Sequence, residues 1–432
     1  MRIKRMHVKN FKSIKEMEIE FSSLTMLVGA NASGKSNIIN VFRFISNCMT
    51  FGVDNAISLQ GGMPYLANVC LDKKTPIEIE FEIDFSDDDW VRMPAQNDEL
   101  EESIGLLLKD IKYSFAIKPN NKGFGYSIAY DNVELNFECL DTEIEAATFE
   151  GMSIGATYNL SFSRKSSRSK VVMNRDVKAN SKIKEYLAKS LETRAERFFN
   201  YRINENENKK ELMLRNIPIL LPPTFNEDFF IKIFDFNPKV LKKPSSMASK
   251  NELEEDGSNI AKVLDAILRN KESKKELKAI MKDFLPFVES IDIEKNFDMS
   301  FYFSMTENFS KNSFPANYLS DGTVSVLALV ISLFFERYDS ITILEEPERN
   351  IHPRLIAKLI HAAREASSQR QVIITTHNPE FLRQALIEEV RFVKREEGFT
   401  VVCVPQNSET VKQFLENDLG LDDLFLQDLL GG

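Results

Sequence analysis

Apolar and polar residues alternate with a two-residue period through much of the first half of the chain. Met17, Ile19 and Phe21 alternate with acids, and Ile77, Ile79, Phe81, Ile83 and Phe85 alternate with Glu78, Glu80, Glu82 and Asp84. This is the pattern of strands with one buried and one wet face. Tyr113 to Ile117, Phe124 to Tyr130 and Val133 to Phe137 continue it, broken by Pro119, Asn120, Asn121 and Gly123, and an antiparallel sheet is expected. From about Asn180 the period lengthens. Ile183, Leu187, Leu191 and Phe198 recur at helical spacing among charges, which predicts a helical arm to about Leu214, ended by Pro218, Pro222 and Pro223. A further helix is expected from Ser258, with Ile260, Val263, Leu264, Ile267 and Leu268 on one face and Asp256 or Ser258 as its cap. Another covers Lys274 to Asp283. Met299, Phe301, Phe303 and Met305 then alternate as a strand entering the second half of the core.

Three short runs are apolar without alternation: Leu24 to Val28, Ile341 to Leu344 and Val372 to Thr375. They read as strands buried on both faces. The last two flank a helix at Pro353 to Ala366, which makes a βαβ unit with a parallel sheet. Val324 to Phe335 is the most apolar segment, and it is short enough for a buried helix rather than a membrane span. The division these patterns give is an N-terminal lobe over 1–179, a mainly helical insertion over 180–295 and a C-terminal lobe over 296–432.

Chemistry enters at the ends of the buried runs. GANASGKS, residues 29–36, fits G-x-x-x-x-G-K-S and lies between the strand ending at Val28 and a helix over Asn37 to Phe44, the context a phosphate-binding loop requires. Gly29 and Gly34 permit the tight turn that points successive N–H groups inward, and the helix start adds its positive dipole end. Lys35 is placed to reach the β and γ phosphates of ATP, and the Ser36 hydroxyl to ligate Mg²⁺. Asn31, Ser33 and Asn37 complete the candidate nucleotide contacts. The strand at Ile341 to Leu344 delivers Glu345 and Glu346 at its carboxyl end, where ligands collect in parallel sheets. Glu345 suits the Mg²⁺ shell, and Glu346 suits orienting or deprotonating the attacking water. His377 closes the strand of QVIITTH at the same end, either to donate to the γ-phosphate or to cap the turn before Pro379. Ser320, Asp321 and Gly322 open the apolar helix, and exposed N–H groups there form a second anion-ready terminus. Two phosphate sites for one triphosphate suggest a dimer in which this helix end covers the nucleotide of the other subunit.

Composition narrows the classes. The 432 residues are 43% hydrophobic, enough for two or three packed layers or lobes. Cys48, Cys70, Cys139 and Cys403 are far apart with no C-x-x-C pair, which argues against a zinc site or a disulfide framework and fits a reducing cytoplasm. MRIKRMHVKNFKSI is charged and lacks the apolar stretch of a signal peptide. A net charge of −10 disfavours a uniform nucleic-acid coat. Within that acidic balance, Arg164, Lys165, Arg168, Lys170, Arg175, Lys178, Lys182 and Lys184 form a basic run over 164–184. It reads either as a track for DNA or RNA phosphates or as a solvated loop; no aromatic residues are interleaved for stacking.

The order NFKSI, GANASGKS, YLSDGT, ILEEPERNIHP and TTHNPEFL resembles the RecF, SMC and OLD branch of the ABC-type ATPases, in particular the prokaryotic proteins called AAA family ATPases. The resemblance covers nearly the whole chain, including LEEDGSNIAKVLDAIL and the closing LLGG. It implies an α/β fold: an ABC-type P-loop ATPase head with mixed and antiparallel sheet in lobe I, parallel sheet in lobe II and a central helical insertion. It implies ATP hydrolysis with Mg²⁺ and a nucleotide-sandwiched homodimer. YLSDGT looks like a variant of the ABC signature with Asp321 where most have glycine. Asn350 to Pro353 resembles the D-loop, Lys12 is similar to the basic residue that approaches the nucleotide, and Gln60 matches the Q-loop glutamine that senses Mg²⁺. In biology the resemblance points to antiphage defence with an effector encoded nearby; a RecF- or SMC-like clamp in DNA repair is the alternative. An appended nuclease, as in OLD proteins, is not expected, since 432 − 382 leaves 50 residues after TTHNPEFL. No membrane association is expected.

Overall fold

A computed structural model describes residues 2–72, 74–85, 103–120, 125–142, 152–166, 172–178, 211–213, 231–336, 341–405 and 420–426. The helical arm expected from Asn180 lies outside the described residues except for 211–213. Along the chain the strands are β1 (Arg2–Phe11), β2 (Ile14–Glu20), β3 (Leu24–Val28), β4 (Ile77–Asp84), β5 (Ser103–Pro119), β6 (Tyr126–Thr142), β7 (Met152–Arg164), β8 (Val172–Lys178) and β9 (Ile231–Phe234). There follow β10 (Ser245–Ser246), β11 (Val288–Lys295), β12 (Ser300–Glu307), β13 (Ser313–Pro315), β14 (Ile341–Glu345), β15 (Val372–Thr376), β16 (Val390–Glu396) and β17 (Phe399–Cys403). The helices are α1 (Lys35–Phe51), α2 (Val53–Leu59), α3 (Met63–Leu66), α4 (Pro238–Leu241), α5 (Ile260–Arg269), α6 (Lys271–Phe284), α7 (Asp321–Phe334), α8 (Ile356–Ala366), α9 (Pro379–Gln384) and α10 (Leu421–Leu426). Two compact units result. One comprises Met1–Glu20, Asn37–Phe229 and Glu396–Val401, the other Phe21–Ser36, Phe230–Arg395 and Val402–Gly432.

The first unit is built on an antiparallel sheet of order β2-β1-β4-β5-β6-β7-β8. Its alternation is the one expected: Ile77, Ile79, Phe81 and Ile83 are buried, and Met6 pairs with Phe81 and Val8 with Ile79, so the apolar side chains of β1 and β4 share a face. Helix α1 packs there, with Phe44 5.9 Å from Phe11 between ring centroids. The runs ending at Tyr130 and starting at Val133 join in one strand, because β6 runs unbroken through Asp131 and Asn132. Asp131 looks like a turn residue but is fully buried, where it accepts from the Tyr113 hydroxyl at 2.5 Å, the Arg164 guanidinium at 2.7 Å and the Met213 N–H at 2.8 Å.

The second unit holds the parallel sheet, in which β16-β3-β15-β14-β9 are neighbours. All of β3 and β15 and the first four residues of β14 are buried, as continuous apolar runs in a covered parallel sheet must be. Helix α7 is buried from Thr323 to Leu333. The strand at Phe301 to Met305 does not enter this sheet. It is β12 of a separate antiparallel sheet ordered β10-β12-β11, with β13 also on β12, against which α5 packs through Lys262 over the Phe301 ring at 5.5 Å.

The compact units divide the chain differently from 1–179, 180–295 and 296–432. Residues 231–295, expected in the insertion, belong to the second unit, because β9 pairs in parallel with β14, Ile233 opposite Ile343. The N-cap of α5 is Asn259, not Asp256 or Ser258; its amide is committed to Lys250 O, Glu252 O and Glu254 N–H, which pins the preceding loop. All four cysteines are free. Among the described residues no helix is long and apolar enough to cross a membrane.

Candidate functional site

The site is assembled by strand register within the second unit. β15 lies between β3 and β14, with Thr376 opposite Val28 and Thr375 opposite Glu345. Three carboxyl ends therefore stop at one level, and Gly29, His377 and Glu346 follow them in sequence. The backbone ties them further: Gly29 N–H donates to Thr376 O at 3.2 Å, and Glu346 N–H to Thr375 O at 3.0 Å. The phosphate loop thus clusters with the glutamates, not with the N-terminal lobe to which the sequence assigned it.

The loop conformation explains its residue types. A Cβ on Gly29 would stand 2.2 Å from Val393 O and 2.7 Å from Ser33 Oγ. Gly34 has φ 110°, a left-handed value that favours glycine, while Ala32 sits at φ 62° and bears the strain itself. Helix α1 begins at Lys35. The Lys35 ammonium is buried and donates to Gly29 O at 2.7 Å and Ala30 O at 3.0 Å. Burial lowers its pKa, against the raising charges of Glu346 and Glu348. Asn31 and Ser36 are exposed. Ser33 Oγ is buried with no hydrogen-bond partner among the described residues, an orphan donor that an incoming phosphate oxygen would satisfy. These residues fit a nucleotide triphosphate.

Glu345 ends β14, and Glu346 turns the chain with φ 42°. Burial pushes the Glu346 carboxyl up, but the Arg349 hydrogen bond and the charges of Arg349, His377 and Lys35 outweigh it, and the net direction is down. Arg349 bridges Glu346 Oε2 and Asp235 Oδ1, both at 2.9 Å. His377 Nδ1 lies 3.3 Å from Glu346 Oε1 and 3.9 Å from Glu348 Oε1. The turn before Pro379 is capped not by His377 but by Asn378, which accepts from Glu380 N–H.

Ser320, Asp321 and Gly322 also lie in the second unit. Helix α7 starts at Asp321, three residues before the expected Val324, with Ser320 as N-cap: its Oγ accepts from Thr323 N–H at 3.1 Å. The Asp321 carboxylate pairs with the Lys242 ammonium, and Gly322 approaches Asn350 O so closely that a Cβ would stand 2.8 Å away.

Asn37, Lys12 and Gln60 lie in the first unit. Asn37 Nδ2 donates to Ser13 Oγ at 2.5 Å, and Gln60 Nε2 to Asn40 O at 3.3 Å. Lys12 has φ 47°, and burial, then the Arg43 charge, lowers its pKa. Arg164 does not serve a basic track: its guanidinium is buried on Asp131. Lys165 and Lys178 are exposed; Arg168, Lys170, Lys182 and Lys184 lie outside the described residues.

Three contributors escaped the sequence reading. Glu348 follows the two glutamates in ILEEPE, yet the turn at Glu346 and Pro347 folds it back and buries it. Thr376 donates its hydroxyl to Glu348 Oε1 at 2.6 Å. Arg349 holds Glu346. The signal available was the third acid after the strand, which strand alternation alone cannot place.

Comparison with curated protein sequences finds no match. Among solved structures, the chain is similar to an SMC head bound to the C-terminal winged-helix domain of ScpA (13% identity, TM-score 0.49, covering 93% of this chain and 98% of that one). It is also similar to the SMC head domain from Thermotoga maritima (13%, 0.42, 94% and 99%). A third likeness is to an SMC head with an extended coiled coil bound to the C-terminal domain of ScpA, from Pyrococcus furiosus (13%, 0.44, 96% and 99%). The family profile for the AAA ATPase domain matches residues 1–382. With that match over most of its length, and with a phosphate loop, paired glutamates and a histidine on three adjacent strand ends, the chain belongs to the AAA ATPase domain family and is an ATPase.

Proposed function

We propose that this ATPase closes as a homodimer around two nucleotides and uses the cycle to hold and release a separately encoded effector in prokaryotic antiviral defence. The observation that carries the catalytic part is the convergence of Lys35, Glu346 and His377 on adjacent ends of β3, β14 and β15. In this reading residues 29–36 bind the phosphates of ATP, with Lys35 leaving the Gly29 and Ala30 carbonyls for the β and γ oxygens. Glu346, whose carboxyl is held below its ordinary range, takes a proton from the water that attacks the γ-phosphorus as the bond to the bridging oxygen breaks. His377 donates to the γ-phosphate and so reports its presence. Ser36 and Glu345 would hold Mg²⁺, in keeping with an ion that takes one or two protein oxygens beside phosphates; when bound it neutralises charge developing on those oxygens.

The dimer is supported by the second anion-ready helix end at Ser320, whose hydroxyl already caps α7 and whose neighbour Asp321 is neutralised by Lys242. From the resemblance alone, Lys12 approaches the nucleotide and Gln60 senses Mg²⁺. The defence role likewise rests on the resemblance, and in this reading the protein acts in the cytoplasm. Mass measurement of Glu346→Gln with and without ATP tests the sandwich: an ATP-dependent doubling is expected, and a monomer at saturating ATP rules against it. Copurification of a nuclease or toxin-like partner tests the defence role.

A further inference from the structure

Glu348 is expensively placed. Its side chain is 6% exposed, and Oε2 makes no hydrogen bond among the described residues. Burial pushes its pKa up, against the Thr376 hydroxyl, the N–H groups of Glu348 and His377, and the His377 charge. Burying a carboxylate with one oxygen unpaired carries a desolvation cost. What the acid does with its other oxygen decides why it is here.

Its contacts give the reason. Glu348 Oε1 accepts from Thr376 Oγ1 at 2.6 Å, and that same Oγ1 accepts the Asn378 N–H at 3.0 Å. The residues on either side of His377 are thus tied by one relay. Thr376 O accepts the Gly29 N–H, so the relay reaches the first residue of the phosphate loop. His377 Nδ1 is 3.9 Å from Glu348 Oε1 and 3.3 Å from Glu346 Oε1, which places the imidazole against both carboxylates.

We infer that Glu348 is a positioning residue of the ATPase: through Thr376 it fixes the strand end that carries His377 and anchors Gly29, so that imidazole and phosphate loop are held in one arrangement. The inference rests on the assignment of His377 to the γ-phosphate. Glu346 carries the proton chemistry, and Glu348 acts through Thr376 without touching substrate. Preorganisation of this kind is worth more to turnover than to binding, since it sharpens geometry at the reacting centre.

The test uses the full chain with Glu348→Met and Thr376→Val, which remove the two ends of the bond at near-constant volume, with Thr376→Ser as the conservative variant. Expected for both single variants are a kcat at least about tenfold lower and an ATP Kd within about threefold. The double variant should lose no more than the worse single one, because both remove the same bond. Thr376→Ser should lose less than about threefold. A kcat within twofold of wild type in both single variants overturns the inference, as does a lowered midpoint in Glu348→Met with kcat retained. Amide exchange in residues 372–384 gives a readout without turnover: about tenfold faster exchange there in both variants is expected, and unchanged exchange overturns the inference. A wild-type chain that binds ATP without hydrolysing it would defeat the Glu346 assignment separately, leaving the exchange result to decide Glu348.

Discussion

Replacing Arg164 with Met should destabilise the first unit severely, and the loss can be worked from its contacts. Arg164 and Asp131 side chains are 9% and 0% exposed, with nitrogen and oxygen 2.7 Å apart. Met keeps most of the packing volume but, among the described residues, leaves Asp131 with the Tyr113 hydroxyl and Met213 N–H as its hydrogen-bond donors and no compensating charge. Breaking one side of a buried pair costs about 3–5 kcal/mol, a large share of the roughly 5–15 kcal/mol that holds a domain together. With a urea slope of about 2–3 kcal/mol per molar, the midpoint should fall by about 1.5 M, followed by far-UV circular dichroism. The deficit should also depend on pH. Asp131 is already pushed up by burial despite the Arg164 charge, and losing Arg164 raises it further. The folded state then binds more protons than the unfolded state from the ordinary aspartate range upward, so stability falls as pH rises through that window. The gap between variant and wild type should therefore narrow from pH 7 toward pH 5. A midpoint shift under about 0.3 M, or a gap that widens on acidification, refutes the assignment of Arg164 to the fold.

Other consequences concern the site. Glu346→Gln should lower kcat at least about 100-fold while ATP binding, followed by fluorescent-nucleotide titration, is kept; retained turnover removes Glu346 from the chemistry. Gly29→Ala should weaken ATP binding more than about thirtyfold, because the Cβ would meet the Val393 carbonyl at 2.2 Å, where backbone cannot step aside; an unaltered Kd contradicts this. Because Glu346 is held low, the acid limb of kcat against pH should lie below the ordinary glutamate range, and Arg349→Met should move it up, since Arg349 supplies the leading hydrogen bond that lowers it. Lys242→Ala should weaken ATP-driven dimerisation by leaving the Asp321 carboxylate unneutralised at the start of α7, and equal dimer fractions by light scattering would show that this helix end takes no part.

The motor was legible where periodicity and chemistry coincide. Leu24–Val28 emerges with the bounds the sequence suggested, because an unbroken apolar run followed by a glycine has few alternatives. Ile341 and Val372 open strands of the same kind. What escaped was decided by tertiary partners. Asp131 interrupts the apolar pattern of β6 but is paid for by Tyr113, Arg164 and Met213. Ile231–Phe234 is only four residues long, and its place at the edge of the sheet depends on the distant β14. Arg164 reads as surface charge until Asp131 is found beneath it. Glu348 follows Glu346 by two positions, and a strand rule would keep both on one face; a turn with positive φ separates them.

That turn argues for a built site. Glu346 takes a left-handed φ of 42°, at a cost of about 1–3 kcal/mol for such a residue, and Asn350 one of 66°, which asparagine tolerates. The conformation is held by Glu346 N–H on Thr375 O, Arg349 N–H on Glu346 O and Ile351 N–H on Glu348 O. A solvated acidic loop would have no reason to hold such strain. Here the strain sends the two carboxyls into opposite environments: the pKa of Glu346 is pushed up by burial but brought down overall by Arg349, whereas that of Glu348 is pushed up by burial. Two acids with pKa values driven apart on one rigid turn, with a histidine between them, is the arrangement expected when one must take a proton and the other must hold its neighbours still.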